Sequence, residues 1–160
     1  MEIRHATLAD LPAVTAVESA CFPAAEAATE ESFRARIVVY PNHFWLLFDE
    51  GKLVSFVNGM VTDEADLTDE MYDNAAMHRE NGDWQMIFGV NTIPECRRQG
   101  LAEKVLKQAI LDARAQGRRG LVLTCKDALV HYYAKLGFED EGISESTHGG
   151  VVWHKMRLTF

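Results

Sequence analysis

Long apolar runs, a surplus of basic residues and patterned cysteines are all missing from this chain of 160 residues. No run of about 18 apolar residues occurs, which excludes a membrane-spanning helix. The net charge of −8, from 16 basic and 24 acidic residues, argues against non-specific binding to nucleic acid. The sequence therefore predicts neither a membrane partner nor a nucleic-acid partner.

The cysteines and histidines show no spacing that a metal or a disulfide framework would require. Cys21, Cys96 and Cys125 are odd in number and widely separated, which suits reduced thiols. The six histidines add no pattern of ligands, so no metal site is expected. The first five residues show neither the basic stretch nor the apolar stretch of a secretory signal, and a cytoplasmic location is expected.

What the chain does contain is the composition of a globular protein, with 48% hydrophobic and 25% charged residues. Its length predicts one domain over residues 1–160. Strand patterns occur at 2–6, 44–48, 53–61, 84–92, 121–125 and 151–158. Helical patterns run to about 21 after a capping box at 7–10, then from 29, over 101–116 and over 128–136. This alternation predicts an α/β or mixed α+β fold.

The first helix is expected to bury one apolar stripe formed by Leu11, Val14, Val17 and Ala20. The helix at 101–116 shows the clearest stripe and ends before Gly117, a residue typical of helix C-termini. Its apolar positions are Leu101, Val105, Leu106, Ala109, Ile110 and Ala113.

Charge is unevenly distributed along the chain. The segment 62–83 carries eight acidic residues and one base, Arg79, whereas nine of the sixteen basic residues lie within 97–135. Two interpretations are open: two solvated surfaces, or one site for an anionic ligand and one for a cationic ligand. The acidic segment is long, polar and not clearly periodic, and long connections of this kind often cover a binding site.

A glycine turn links the strand at 84–92 to the helix at 101–116. It reads Arg97-Arg98-Gln99-Gly100-Leu101-Ala102. Free N–H groups and the positive end of the helix dipole favour phosphate oxygens at such a position. Gly100 has no Cβ to obstruct a pyrophosphate. The alternative is a surface turn in which glycine only permits a sharp reversal of the chain.

A second motif, Tyr132-Tyr133-Ala134-Lys135-Leu136-Gly137-Phe138, follows some thirty residues later. Together the two motifs resemble the GCN5-related N-acetyltransferases (GNAT), in which an Arg/Gln-x-x-Gly-x-Gly/Ala loop precedes an aromatic-Tyr-x-Lys-x-Gly-Phe signature. The stretch 124–130 beside Tyr133 is similar to the arylalkylamine N-acetyltransferase branch.

The resemblance implies a central mixed sheet flanked by helices and splayed between the strands at 84–92 and 121–125. Acetyl-CoA, the expected cosubstrate, would lie in this opening. The backbone of Val90, Asn91 and Thr92 would pair with its pantetheine arm. The pyrophosphate would be held by residues of the glycine turn, namely Arg97, Arg98, Gln99, Gly100, Leu101, Ala102 and Glu103.

The resemblance also implies that Tyr133 protonates the leaving thiolate, while Tyr132 takes the position of a packing aromatic. The acceptor amine must lose a proton before it attacks, because an alkylamine titrates at a pH of about 10.4. The family places bases on the fourth strand, where this chain has Met86 and Phe88, which cannot accept a proton. His78 within the acidic segment is the preferred replacement, with the carboxylates of 62–83 and His148 as alternatives.

The expected activity is transfer of an acetyl group to a primary amine, most simply a small cationic one. Two alternatives remain open: an acetyltransferase acting on a protein N-terminus or lysine, and a non-catalytic sensor that binds acyl-CoA. A small-molecule amine is the expected partner, and the sequence leaves a homodimer open.

Overall fold

Two β-sheets that share one interrupted strand form the centre of the computed structural model, which describes residues 1–146 and 148–160. One sheet has four antiparallel strands in the order β1-β2-β3-β6, and the other has five in the order β4-β5-β7-β9-β8. The strands are β1 (Glu2–Arg4), β2 (Phe44–Asp49), β3 (Lys52–Asn58), β4 (Val61–Thr62), β5 (Trp84–Ile87), β6 (Gly89–Thr92), β7 (Gly120–Cys125), β8 (Glu139–Ile143) and β9 (His154–Thr159).

The interruption at Phe88 separates the two sheets. Before it, β5 runs parallel to β7 as far as the pair Ile87 and Leu123. After it, β6 pairs with β3, and the Phe88 N–H already donates to Asn58 O at 2.7 Å. The strand predicted over 84–92 is therefore two strands, because its backbone partners change from β7 to β3. β6 and β7 diverge beyond this point, which confirms the predicted splay.

In the part of the chain that the structure describes, five α-helices pack against the sheets: α1 (Leu11–Cys21), α2 (Glu30–Val39), α3 (Asp69–Asp73), α4 (Leu101–Ala115) and α5 (Val130–Ala134). The prediction for α4 is confirmed to within one residue, and Gly117 follows it with a φ of 79°. Its predicted stripe is buried except at Ile110, which is only partly covered. None of the helices in the described ranges combines the length and apolar character of a membrane span.

The buried face of α1 differs from the prediction at one position. Leu11, Val14 and Val17 are buried as expected, but Ala20 is exposed and Glu18 is 6% exposed. The reason is the helical period: Glu18 lies four residues after Val14 and therefore on the same face. A carboxylate thus replaces the expected methyl group on the inner side of α1.

The acidic segment is more ordered than its sequence indicates. It contains α3, and two of its own side chains, Leu67 and Met71, are buried. Two of its acidic side chains lie in the described ion pairs: Asp66 contacts Lys155 and Arg157 at 2.8 and 3.1 Å, and Glu80 contacts Arg118 at 3.5 Å. Part of its negative charge is therefore compensated locally.

Candidate active site

Two adjoining pockets open where β6 and β7 diverge. The outer pocket, of about 420 Å³, lies at the start of α4. It is lined by Cys21, Phe22, Val90, Thr92, Cys96, Arg97, Arg98, Gly100, Leu101, Ala102, Glu103, Leu129, Tyr132 and Tyr133. The inner pocket, of about 280 Å³, lies between the α1–α2 connection, the break at Phe88 and the end of β7. Its walls include Glu18, Glu26, Arg36, Asn58, Tyr72, Phe88, Gly89, Thr124, Lys126, His148 and Trp153.

The two pockets share a common wall. Cys21, Phe22, Val90, Leu129 and Tyr133 line both of them. The two pockets therefore adjoin one another between the start of α4 and the break in the central strand.

The outer pocket is shaped for an anionic group at the N-terminus of α4. Gly100 adopts a φ of 74° and Arg98 a φ of 65°, and the first N–H groups of the helix that follows have no intrahelical partner. Gly100 lines this pocket, and a Cβ there would meet no described atom within 4 Å. The residues present thus fit a bulky pyrophosphate.

Most of the residues predicted to bind the cosubstrate lie together in this pocket. Gln99 and Asn91 do not line it. Gln99 is exposed, and the buried Asn91 side chain points elsewhere and donates to Glu18 Oε1 at 2.7 Å. The prediction for these two residues rests on their backbone alone.

Tyr133 occupies the junction of the two pockets. Its side chain is 7% exposed and makes edge contacts with the rings of Tyr132 and Phe138. Burial raises the pKa of the Tyr133 hydroxyl well above its usual range, so the phenol stays protonated at neutral pH and is available as a hydrogen-bond donor. Tyr132 is half-buried and lines only the outer pocket.

Tyr72 is the centre of an aromatic wall in the inner pocket. Its ring lies between Phe88, with centroids 4.6 Å apart, and His148, with centroids 5.3 Å apart. Its hydroxyl lies 3.3 Å from Thr124 Oγ1. This side chain, from the acidic segment, joins α3 to the strand break and to the loop before β9.

His148 is held in one orientation and one tautomer. Its Nε2 lies 2.7 Å from the carbonyl oxygen of Glu26, so Nε2 carries a proton and donates it. In the neutral ring Nδ1 is then the atom with a free lone pair. Trp153 Nε1 donates to His148 O at 2.7 Å, which fixes the backbone as well. Because His148 also lines the inner pocket, its imidazole is a candidate for acid–base chemistry there.

His78, the preferred base from sequence, lies outside both pockets. Val61 N donates to His78 Nδ1 at 3.0 Å, so Nε2 is protonated and donates to Glu80 at 2.9 Å. Burial lowers the pKa of the ring. Both ring nitrogens thus form hydrogen bonds within the protein. The catalytic role of His78 stays a prediction, although the residue lines neither pocket.

His43, His78 and Glu80 bring potential metal-ligand atoms within 4.8 Å of one another. The Gln85 amide nitrogen donates to backbone carbonyls, including Met86 O at 2.8 Å, so Gln85 Oε1 must accept from His43 Nδ1. Hydrogen bonds account for the arrangement of this cluster, and the expectation of no metal stays a prediction.

Sequence reasoning missed three residues of the inner pocket: Glu18, Arg36 and Tyr72. A signal exists for two of them. Glu18 lies in the stripe of α1, and Arg36 lies three residues after the buried Phe33 on α2. A charged residue in an apolar stripe marks either a buried polar network or a binding site.

Comparison with known proteins identifies the family. Residues 11–138 match the family model described as the acetyltransferase (GNAT) family. The chain belongs to this family. Among curated GNAT proteins, serotonin N-acetyltransferase of Mesocricetus auratus is 30% identical over 113 residues, or 70% of this chain. The chain covers only 53% of that relative's length.

Solved structures confirm the GNAT fold. The GphF GNAT-like decarboxylase in complex with isobutyryl-CoA has a TM-score of 0.85 and 21% identity, with 99% of each chain covered. The ribosomal-protein-S18-alanine N-acetyltransferase from Escherichia coli has a TM-score of 0.74 and 20% identity, with 99% of this chain and 92% of that chain covered. The resemblance to the GNAT family and the predicted fold class are both confirmed.

Proposed function

We propose that this chain is an acetyl-CoA-dependent N-acetyltransferase that acetylates the primary amine of a small molecule. The observation that carries the proposal is the position of Tyr133. Its side chain lines both pockets, one suited to a pyrophosphate and one containing a proton acceptor. A thioester that passes between the pockets would meet this hydroxyl.

The outer pocket would bind the cosubstrate through backbone groups. N–H groups from Arg98 to Glu103 would hold the pyrophosphate, with Arg97 adding positive charge. β6 is an edge strand of its sheet, so its outer side is available for the amides of the pantetheine arm. Amides near Val90 would polarise the thioester carbonyl and stabilise the negative charge that develops on its oxygen.

In the reaction, the amine nitrogen attacks the thioester carbon and a C–N bond forms. The C–S bond then breaks, and its electron pair goes to sulfur. Tyr133 would give its phenolic proton to this sulfur, or hydrogen-bond to it, as the tetrahedral intermediate collapses. No covalent intermediate on the enzyme is required.

His148 is the histidine of the inner pocket and our candidate for the group that deprotonates the incoming amine. Met86 lies in the core and Phe88 is a wall of the inner pocket, so the strand positions that serve as bases in relatives cannot serve here. His148 lines the pocket, whereas the earlier candidate His78 does not. We therefore assign the role of general base to His148, which would accept the proton of the amine directly or through one bound water molecule.

The dimensions of the inner pocket favour a small acceptor over a protein side chain. Its volume is about 280 Å³, and the loop that carries His148 and Trp153 forms one of its walls. A protein N-terminus or a lysine on a folded protein would need an open groove at this position. A non-catalytic sensor would bind acyl-CoA without requiring a tyrosine hydroxyl between the two pockets.

The test is a panel of primary amines incubated with acetyl-CoA, with detection of free thiol and mass spectrometry of the products. We expect amine-dependent thiol release and one N-acetylated product for each accepted amine. Release that is independent of every amine, or acetyl-CoA binding without release, would contradict the proposal. Peptides with free N-termini in the same panel separate a small-molecule enzyme from a protein acetyltransferase.

A further inference from the structure

The inner pocket contains two buried charges of opposite sign that lack ion-pair partners among the described residues. Of the charged residues lining it, Lys126 donates to Glu26 at 3.1 Å, and Asp73 is exposed. Glu18 and Arg36 remain, 6% and 3% exposed, and neither lies in any of the described ion pairs. Isolated buried charges are costly, and this cost requires an explanation.

Arg36 is surrounded by neutral groups. Its Nη1 donates to Asn58 Oδ1 at 3.0 Å and its Nη2 to Tyr72 O at 2.9 Å, while its Nε has no partner in the described part of the chain. The guanidinium also lies 5.1 Å from the Phe33 ring and 4.9 Å from the Phe88 ring. These contacts orient the cation at the pocket wall but supply no negative charge.

Glu18 is also surrounded by neutral groups. Asn91 Nδ2 donates to its Oε1 at 2.7 Å, and the Ala28 N–H donates to its Oε2 at 2.8 Å. Both donors hold the carboxylate in place without cancelling its charge. It lies on the inner side of α1, in contact with the same pocket.

The two charges lie close to the break in the central strand. A Cβ at Gly89 would lie 3.6 Å from Glu18 Oε1 and 3.6 Å from Asn58 Nδ2. Asn58 accepts from Arg36 through its oxygen, and its Nδ2 has no partner in the described chain. This amide therefore retains a donor that no described residue satisfies.

We propose that the acceptor is zwitterionic: its carboxylate pairs with Arg36 and its ammonium group docks at Glu18. This inference rests on the proposed function, because it names the acceptor of that reaction. The ligand supplies both missing counter-charges at once, so neither buried ion remains unpaired in the complex. Glu18 also holds the amine beside Gly89, at the start of the strand along which the thioester would lie. Amino acids of small size have this chemistry.

The carboxylate that pairs with Arg36 could also come from the acyl donor, if this is a dicarboxylic thioester. The experiment therefore distinguishes a carboxylate on the acceptor from one on the acyl group. Glycine, β-alanine, 4-aminobutyrate and 6-aminohexanoate are each compared with the corresponding carboxamide, and acetyl-CoA is compared with malonyl-CoA and succinyl-CoA. A carboxamide also lowers the pKa of an amine close to it, so the longer pairs, 4-aminobutyrate and 6-aminohexanoate, report the carboxylate most cleanly.

With the wild-type protein, we expect at least one amino acid to have a KM about 30-fold or more below that of its carboxamide, as is typical when one partner of a buried charged pair is removed. Calorimetry on the protein loaded with coenzyme A should show the same preference without turnover. Equal KM values and equal binding for all pairs would overturn the proposal and leave acetyl transfer to plain amines intact. Absence of turnover with every amine would contradict the proposed function, and calorimetry would still decide this inference.

Variants of Arg36 test whether this residue causes the preference for the carboxylate. Arg36→Gln should abolish the preference for the amino acid over its carboxamide, and Arg36→Lys should retain part of it. Arg34→Gln removes an exposed arginine from the same helix, where it pairs with Glu30, and should change nothing. If Arg36→Gln instead weakens only malonyl-CoA or succinyl-CoA, the carboxylate belongs to the acyl group and the proposal is wrong. Should Arg36→Gln fail to fold, the comparisons on the wild-type protein still decide the question.

Discussion

The His148 ring lies parallel to the Tyr72 ring, with an interplanar angle of 4° and centroids 5.3 Å apart. The stacking joins two segments that are far apart in sequence, the acidic segment and the loop before β9. Together with the hydrogen bond from Nε2 to Glu26 O, it fixes the imidazole in the wall of the inner pocket. The fixed orientation of this ring in the pocket wall is the basis for the first prediction.

His148→Gln should lower kcat by about 10²–10⁴-fold, which is the usual contribution of a general base. The affinity for acetyl-CoA should be unchanged, because His148 does not line the outer pocket. Steady-state kinetics and calorimetry measure the two quantities. His131→Gln, at an exposed position outside both pockets, is the control. If His78→Gln reduces turnover while His148→Gln does not, the base has been assigned to the wrong histidine.

Tyr133→Phe should reduce turnover by about 10²–10⁴-fold and leave acetyl-CoA affinity nearly intact, because only the phenolic proton is lost. Tyr132→Phe provides a matched control, since that ring lines the outer pocket without reaching the inner one. Single-turnover thiol release isolates the chemical step. Equal losses in the two variants would remove the reason for choosing Tyr133.

Gly100→Val should severely weaken acetyl-CoA binding. The branched side chain would be added to the lining of the outer pocket, and a φ of 74° is unfavourable for valine. Gly117→Val is the matched control, because Gly117 has a φ of 79° and equally open surroundings at the other end of α4. Both variants should lose stability, but only Gly100→Val should lose affinity in calorimetry. Unchanged affinity in a folded Gly100→Val protein would mean that the pyrophosphate binds elsewhere.

Asp10→Asn should destabilise the fold at neutral pH. The hydrogen bond from Arg4 lowers the pKa of Asp10, and Thr7 N also donates to its carboxylate at 2.8 Å. Because the pKa in the folded state is the lower one, the carboxylate contributes its full stability above the unfolded value of about 3.9. This contribution is lost as the pH falls through the folded pKa.

Urea unfolding at pH 7 should therefore show a loss of roughly 1–3 kcal/mol for Asp10→Asn. The gap between the variant and the wild type should close in strongly acidic buffer. A gap that is independent of pH would show that shape, and not ionisation, explains the effect.

The sequence was most informative where local chemistry alone determines the structure. The stripe of α4, Gly100 and the motif around Tyr133 could all be recognised from spacing. The break at Phe88 could not, because it depends on a change of backbone partners between β7 and β3. The sequence also could not show which of His78 and His148 is the better candidate for the base. Each ring is held by a residue distant in sequence, His78 by Val61 and His148 by Glu26.

A crystal structure of the complex with acetyl-CoA would show whether the two pockets form one reaction site. We expect the pyrophosphate within hydrogen-bond distance of the amides from Arg98 to Glu103. We also expect the thioester sulfur within reach of the Tyr133 hydroxyl and the acetyl group facing the inner pocket. A thioester that lies away from Tyr133, or an acetyl group directed out of the inner pocket, would contradict the account.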